Sequence, residues 1–362
     1  MKILFAAAHF PPSLGGVENY VFNIALGFQQ IYDAEVVVVT SSIHGKRMSI
    51  EDYSGIKVYR LPAMLQLSNT PINPLWYFSL KKIIRKEKPD IINAHQPVVF
   101  IGDITAFVAG KIPFVLTYHA GTMKKRELPI DIVISLYEKF ILPHTVKKAS
   151  QIICVSSFVR DTLLRKYASK TTIISPGVNT SLYKPDPKVK REENLVLFIA
   201  RHKKMYRMKG LYFLIEVIKM LHEVRLHIVG EIEASNNKNI EYVGVKQGKD
   251  LVEEMQKASL VVLPSLAHVE SFGMVLIEAM ACQTPVIGTD VGGIPEVIKD
   301  GIDGFIVAPQ DSNALALAIS KILADKELAI HMGQLGEAKV REQFTWDTRV
   351  DLTKGVFVSC LK

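Results

Sequence analysis

The chain has 362 residues, 48% hydrophobic and 22% charged, which excludes a disordered polymer and exceeds one ordinary core, so two domains are expected. Three scattered cysteines, Cys154, Cys282 and Cys360, exclude a disulfide framework and fit a reducing compartment. The net charge of +8 is uneven: residues 1–175 hold 21 Lys+Arg against 12 Asp+Glu, and the remainder 23 against 24. A basic half fits either a solubilising surface or an acidic partner, such as anionic lipid, a phosphorylated substrate or nucleic acid.

The opening run at 2–8 is short and leads into "PPSLGG", so it reads as a buried first strand rather than a signal peptide. No apolar run approaches the ~18 residues of a membrane-spanning helix. Strand-like runs follow at 34–42, 56–62, 90–96, 112–120, 150–157 and 171–179, with helical patterns near 17–29, 75–89, 100–109 and 157–167. The polar, proline-bearing text at 181–194 reads as a linker. A second alternation then begins. Strands are expected at 194–202, 225–231, 240–245, 260–265, 284–293 and 304–309, and helices at 210–224, 249–259 and from 312 to the end. Short apolar runs alternating with helices predict parallel sheets covered on both faces: two Rossmann-like domains facing a cleft. Ligands of such sheets bind at the carboxyl ends of the strands.

One stretch is chemically dense. In "PSLAHVESFGMVLIEAM" (264–280) a strand ends, a loop carries His268 and Glu270, and Ser271-Phe272-Gly273 opens an apolar helix at Met274. A helix start presents unpaired N–H groups and a positive dipole end, which suit an anion. Glu278 falls roughly 7 Å further along the axis. A long polar ligand with an anionic middle and hydroxyls at both ends fits this spacing, and a nucleotide diphosphate sugar is such a molecule.

"ESFGMVLIE" followed by "AMACQTPVIGTDVGGIPEVI" resembles the Glu-x7-Glu signature of retaining GT-B glycosyltransferases of family four. Some thirty consecutive residues carry the match, and other stretches fall where that family places them. "FPPSLGGVE" resembles its first glycine loop, which turns Gly15 and Gly16 toward the donor phosphates. "TYHAG" resembles the strand end whose histidine, here His119, contacts the donor sugar. "ARHKKMYRMKG" resembles the pyrophosphate loop, giving that task to Arg201 and Lys209. "FTWD" (344–347) resembles the point where the last helix returns to the first domain. The resemblance therefore implies an acceptor domain of residues 1–180 plus 345–362 and a donor domain of residues 195–344. Ser271, Phe272, Gly273, Met274 and Glu278 would line the donor site, and His119, Glu270, Arg201 and Lys209 would serve catalysis. Three departures stand out: a longer loop between Arg201 and Lys209, with Arg207 inside it to share the phosphate; "SPGVN" in place of Asn-Gly-Val-Asp; and "VGEI" without a second glycine.

No Asp-x-Asp occurs, so neither metal nor resident cofactor is expected, and the nucleotide sugar is a co-substrate. Fixed cations would neutralise the leaving diphosphate. No residue is an evident nucleophile for double displacement. The family implies front-face attack instead, with positioning and leaving-group stabilisation as the enzyme's contribution. On the acceptor side, 80–88 and 121–148, with Lys124, Lys125 and Arg126, mix cations with an amphipathic run. A lipid-linked or membrane-proximal hydroxyl acceptor, on an anionic surface at the inner face of the cell membrane, fits that text. The enzyme is then cytoplasmic or peripheral. Nucleic acid is disfavoured, because no stacking platform accompanies the charge. An epimerase or phosphorylase on the same plan, and a non-catalytic nucleotide-sugar binder, are the rival readings.

Overall fold

The computed structural model describes residues 1–13, 15–42, 45, 47–67, 70–121, 128–234, 237–266 and 270–361, with backbone alone at 128–130. The chain divides into two compact units: Met1–Pro176 with Trp346–Lys362, and Gly177–Thr345.

The first unit contains strands β1 (Lys2–Ala6), β2 (Glu35–Ser42), β3 (Ser49–Tyr53), β4 (Ile56–Pro62), β5 (Leu65–Leu67), β6 (Thr70–Ile72), β7 (Ile91–Gln96), β8 (Phe114–Tyr118), β9 (Gln151–Cys154) and β10 (Thr171–Ile173). Apart from the β5–β6 hairpin, they form one sheet ordered β10-β9-β8-β7-β1-β2-β4-β3. Its pairs are parallel except at the edge, where β3 runs antiparallel to β4. Runs such as "EVVVV" are buried almost throughout because helices cover both faces. Those helices are α1 (Gly16–Tyr32), α2 (Trp76–Glu87), α3 (Ile101–Val108), α4 (Leu128–Phe140), α5 (Leu142–Lys148) and α6 (Ser157–Leu163). Helix α1 buries Tyr20, Val21, Ile24, Ala25 and Phe28, a stripe at helical spacing.

The second unit contains β11 (Leu195–Ile199), β12 (Arg225–Val229), β13 (Ile240–Gly244), β14 (Leu260–Leu263), β15 (Val286–Thr289) and β16 (Phe305–Val307). They form an all-parallel sheet ordered β13-β12-β11-β14-β15-β16. Helices α7 (Lys203–Tyr206), α8 (Leu211–Met220), α9 (Gly248–Lys257), α10 (Met274–Ala281), α11 (Ser312–Ala324) and α12 (Lys326–Gln343) flank it. One core gathers Met255, Leu276, Met280 and Val340, and the other Leu214, Ile218, Leu315 and Ile319. The final helix, α13 (Trp346–Leu361), lies in the first unit. There Phe357 stacks on Phe28 at 5.1 Å, and Trp346 meets Tyr20 edge-on at 5.6 Å.

In each sheet the strand order reverses at the first strand in sequence, β1 or β11, so the loops beyond the carboxyl ends of these strands are the places for ligands. Several expectations shift. The expected helix at 157–167 ends at Leu163 and gives way to a 3-10 turn, Arg165–Lys170. The strand expected at 171–179 stops at Ile173, short of Pro176, which has no N–H for a ladder. The polar stretch 181–194 is not a free linker. Glu192 N–H donates to Lys257 O at 2.7 Å, Ser259 Oγ to Glu192 O at 2.6 Å, and Gln256 Nε2 to Lys184 O at 2.7 Å, which ties it to α9 and to the start of β14 within the second unit. The expected positions of His268 and of Lys124, Lys125 and Arg126 lie outside the described residues.

Candidate functional site

Three loops of the second unit, following β11, β14 and β15, lock onto one another through backbone contacts. Leu266 N–H donates to Met208 O at 2.9 Å, and Gly293 N–H to Glu270 O at 3.0 Å. Both contacts depend on glycine. Gly210 has φ +78°, and a Cβ there would meet Pro264 O at 1.9 Å; Gly292 has φ +62°, and a Cβ there would meet Glu270 O at 1.9 Å. No side chain fits either place. The consequence is chemical. Lys209 precedes the first glycine and Glu270 underlies the second, and Lys209 Nζ stands 3.1 Å from Glu270 Oε2, with both side chains largely buried.

Helix α10 starts at Met274, with Gly273 as its left-handed cap at φ +95°. Among the described residues no side chain caps this amino end, so its N–H groups point into the loop cluster. Glu278 follows on the same helix. Burial pushes its carboxyl up to about 7, while Lys209 and a hydrogen bond from the Tyr183 hydroxyl pull it down. Lys209 thus acts on both carboxylates. Phe272 is buried and packs edge-on against Phe344 at 5.6 Å. Its ring belongs to the core, and only its backbone faces the helix start. Ser271 and Met274 are half-buried beside it.

Arg201 and Arg207 are exposed. The extra length of their loop is the short helix α7. Glu231 stands where "VGEI" has no second glycine. Its carboxylate accepts from Lys203 N–H at 3.0 Å and pairs with His202 Nδ1 at 3.1 Å, and these contacts hold it below the usual carboxylate range. Tyr206 Oη donates to Glu231 O. The loop between Arg201 and Lys209 and the residue after β12 are therefore coupled: Glu231 holds the α7 turn through His202, Lys203 and Tyr206.

The remaining candidates lie in the first unit. Gly15 caps α1, and a Cβ there would meet the Glu18 carboxylate at 2.2 Å, so Glu18 folds over this helix start. Around Gly16 there is open space, with nothing within 4 Å of a Cβ. His119, just past β8, is buried, and its Nε2 lies 3.0 Å from His95 Nδ1. The two rings stack at 5.3 Å, and Tyr20 closes on His119 edge-on at 4.8 Å. Burial pushes His119 down to about 3 and holds His95 well below the ordinary histidine range. Both are neutral at pH 7, so one ring donates and the other accepts.

The structure thus brings together Lys209, Glu270, Gly273 and Glu278, and places His119, Gly15 and Gly16 in the other unit. Sequence reasoning missed His95, Tyr183, Glu231 and Gly292. His95 had a visible signal, since "NAHQ" ends a strand just as "TYHAG" does. Tyr183 had none, being far from Glu278 in sequence and set in polar text.

The model of "Glycosyl transferases group 1" matches residues 180–339, and that of "Glycosyltransferase Family 4" matches residues 14–182. An uncharacterized glycosyltransferase of Methanocaldococcus jannaschii is 25% identical over 96% of this chain and 95% of its own. The phosphatidyl-myo-inositol mannosyltransferase of Mycolicibacterium smegmatis is 26% identical over 92% of this chain and 87% of its own. O-antigen chain mannosyltransferase C of Escherichia coli is 25% identical over 100% and 99%. Among solved structures, the Anabaena protein HepE in complex with UDP and glucose aligns with TM-score 0.75 at 21% identity, covering 99% of this chain and 100% of its own. Sucrose-phosphate synthase from Thermosynechococcus elongatus aligns with TM-score 0.76 at 21% identity, covering 99% and 98%. With adjoining family matches running from residue 14 to 339 and the two-sheet fold shared along its length, this chain belongs to the GT-B glycosyltransferases of family four.

Proposed function

We propose that this glycosyltransferase moves a hexose from UDP- or GDP-sugar to a hydroxyl acceptor that is lipid-linked or held near a membrane, with retention of configuration and without metal or resident cofactor. The observation that carries the reading is Lys209, paired with Glu270 at 3.1 Å and acting also on the Glu278 carboxyl of α10. Without donor, Glu270 satisfies the ammonium. A diphosphate settling on the N–H groups of α10 competes for Lys209, with Arg201 and Arg207 at the rim. Glu270 is then released to accept hydrogen bonds from sugar hydroxyls, and Glu278 accepts from the ribose diol.

In the transfer step the bond from the anomeric carbon to the phosphate oxygen breaks, and the bond to the acceptor oxygen forms on the same face. The acceptor's proton passes to the departing phosphate, so no side-chain base is required. The protein supplies positioning and cationic stabilisation of the leaving group. The mannosyltransferase names among the relatives and the UDP in a structural neighbour agree with a hexose donor. No helix among the described residues is long and apolar enough to cross a membrane. The basic first half supports a peripheral enzyme on an anionic, cytoplasmic membrane face.

A nucleotide-sugar panel tests the reading. Transfer should give a product with the donor's anomeric configuration by NMR, and Lys209→Ala should lower kcat about 10²–10³-fold. An inverted anomer would overturn front-face attack. Donor binding without turnover would make the protein a binder, and release of an epimeric nucleotide sugar would make it an epimerase.

A further inference from the structure

Helices normally turn their apolar stripes inward. Helix α4 also carries one outward: an apolar stripe lies on its exposed side. Ile132, Val133, Leu136 and Phe140 recur at helical spacing, and all four are exposed. Among the described side chains of α4 only Tyr137, flanking the stripe, is buried; its hydroxyl reaches the Asp103 carboxylate at 3.0 Å and ties the helix to α3. An outward stripe on an anchored helix is a surface, not a failed core.

The surface continues. Phe140 and Ile141 line one side of a groove of about 660 Å³, with Phe107 of α3 on the other side and Lys148 at its end. Phe107 is 80% exposed, and its ring lies 6.1 Å from Tyr77 of α2. The α2 cap Leu75 and, along the helix, Phe78, Lys82 and Arg85 share one exposed face. Beside α2 the β5–β6 hairpin exposes Leu65 and Leu67, tied to the helix by Trp76 Nε1–H donating to Pro62 O at 2.9 Å, just ahead of β5. Cations accompany the rings: Lys81 lies 5.5 Å from the Tyr77 ring centre, and Lys139 5.3 Å from that of Phe140. Patches of large apolar side chains rimmed by charge mark interaction surfaces.

We propose that this face, running from the β5–β6 hairpin across α2 and α3 to α4 and α5, seats the protein on an anionic lipid bilayer, with Phe78, Phe107 and Phe140 entering the interface. The inference rests on the reading that the acceptor is lipid-linked. Charge complementarity selects the occupant. The protein's excess positive charge lies in the half that carries this face, which disfavours a second, like-charged copy and favours anionic headgroups. Aromatic rings flanked by lysines are the composition of interfacial segments. The residues involved are independent of Lys124, Lys125 and Arg126.

The test is flotation of the purified full chain with vesicles holding neither donor nor acceptor, made of neutral phosphatidylcholine with or without 30% anionic lipid. The expected result is flotation with the anionic vesicles, weak flotation with the neutral ones, and loss at high salt. The triple variant Phe78→Ser, Phe107→Ser, Phe140→Ser, whose three sites are exposed, should melt like the wild type, and its partition coefficient should fall by at least about tenfold. Wild type that never floats, or a variant that floats equally well, overturns the proposal. So does light scattering that finds a dimer which the variant breaks, with no flotation, since a second copy would then cover the face. Because no transfer is measured, failure here leaves the catalytic reading standing, and failure of donor binding leaves flotation unaffected.

Discussion

Glu278 sits where burial and a cation pull in opposite directions. Burial pushes its carboxyl up to about 7 from the ordinary 4.5, and in the ribose-binding role proposed for it the ionised form is the stronger acceptor. Donor affinity should therefore fall as pH drops from 8 to 6, seen as a rising KM with kcat less affected. Tyr183 assists the ionised form, so Tyr183→Phe should move that midpoint upward by about half a unit; superimposable profiles would remove Tyr183 from this role. The same group has a stability consequence. A folded-state pKa above the unfolded value means that the folded chain holds the proton more tightly. That stability is full below about 4.5 and is lost as pH rises through about 7. Glu278→Gln should thus stabilise the protein at pH 8 by on the order of 1–3 kcal/mol, and by much less at pH 5, by denaturant unfolding at both values. Such a gain in stability at the cost of donor binding is the usual trade at a functional group.

At the scale of elements, the loop clamp predicts a contrast between two glycines. Gly292→Ala places a Cβ against the Glu270 carbonyl in a left-handed backbone and should cost at least about 2 kcal/mol and displace Glu270. Gly16→Ala, in open space at the first turn of α1, should leave stability within about 0.5 kcal/mol. Urea midpoints of the two variants settle the comparison. The central strands were legible because a strand buried on both faces must be a continuous apolar run, as in "EVVVV" and "NLVLFIA". The edge strand β3, "SIEDY", is largely exposed and has no such requirement, so nothing in its text announced it. The helix at 157–167 broke at Leu164, whose backbone is no longer helical, although the local pattern continues.

For the whole molecule, each unit has its own core. Both tryptophans, Trp76 and Trp346, are buried in the first unit, so tryptophan fluorescence reports the unfolding of that unit. Phe357→Ala removes a ring packed against Phe5 and Phe28. It should lower the fluorescence-detected stability by about 3–5 kcal/mol, while Leu276→Ala, in the other unit's core, should shift far-UV circular dichroism more than fluorescence. Coincident shifts for both variants would mean that the units unfold together.

By itself the sequence determined the alternation of strands and helices, the basic first half, and the Glu270 and Glu278 spacing around a helix start, because each follows from local periodicity or from charge counted along the chain. Only the tertiary structure decided that Lys209 meets Glu270, that Tyr183 reaches Glu278, that His95 stacks on His119 and that Ile132, Val133, Leu136 and Phe140 of α4 are left exposed. These depend on which loops approach within hydrogen-bonding distance once the sheets have formed. Close packing sets that approach, through places such as Gly210 and Gly292 where no side chain fits, and no local pattern records it.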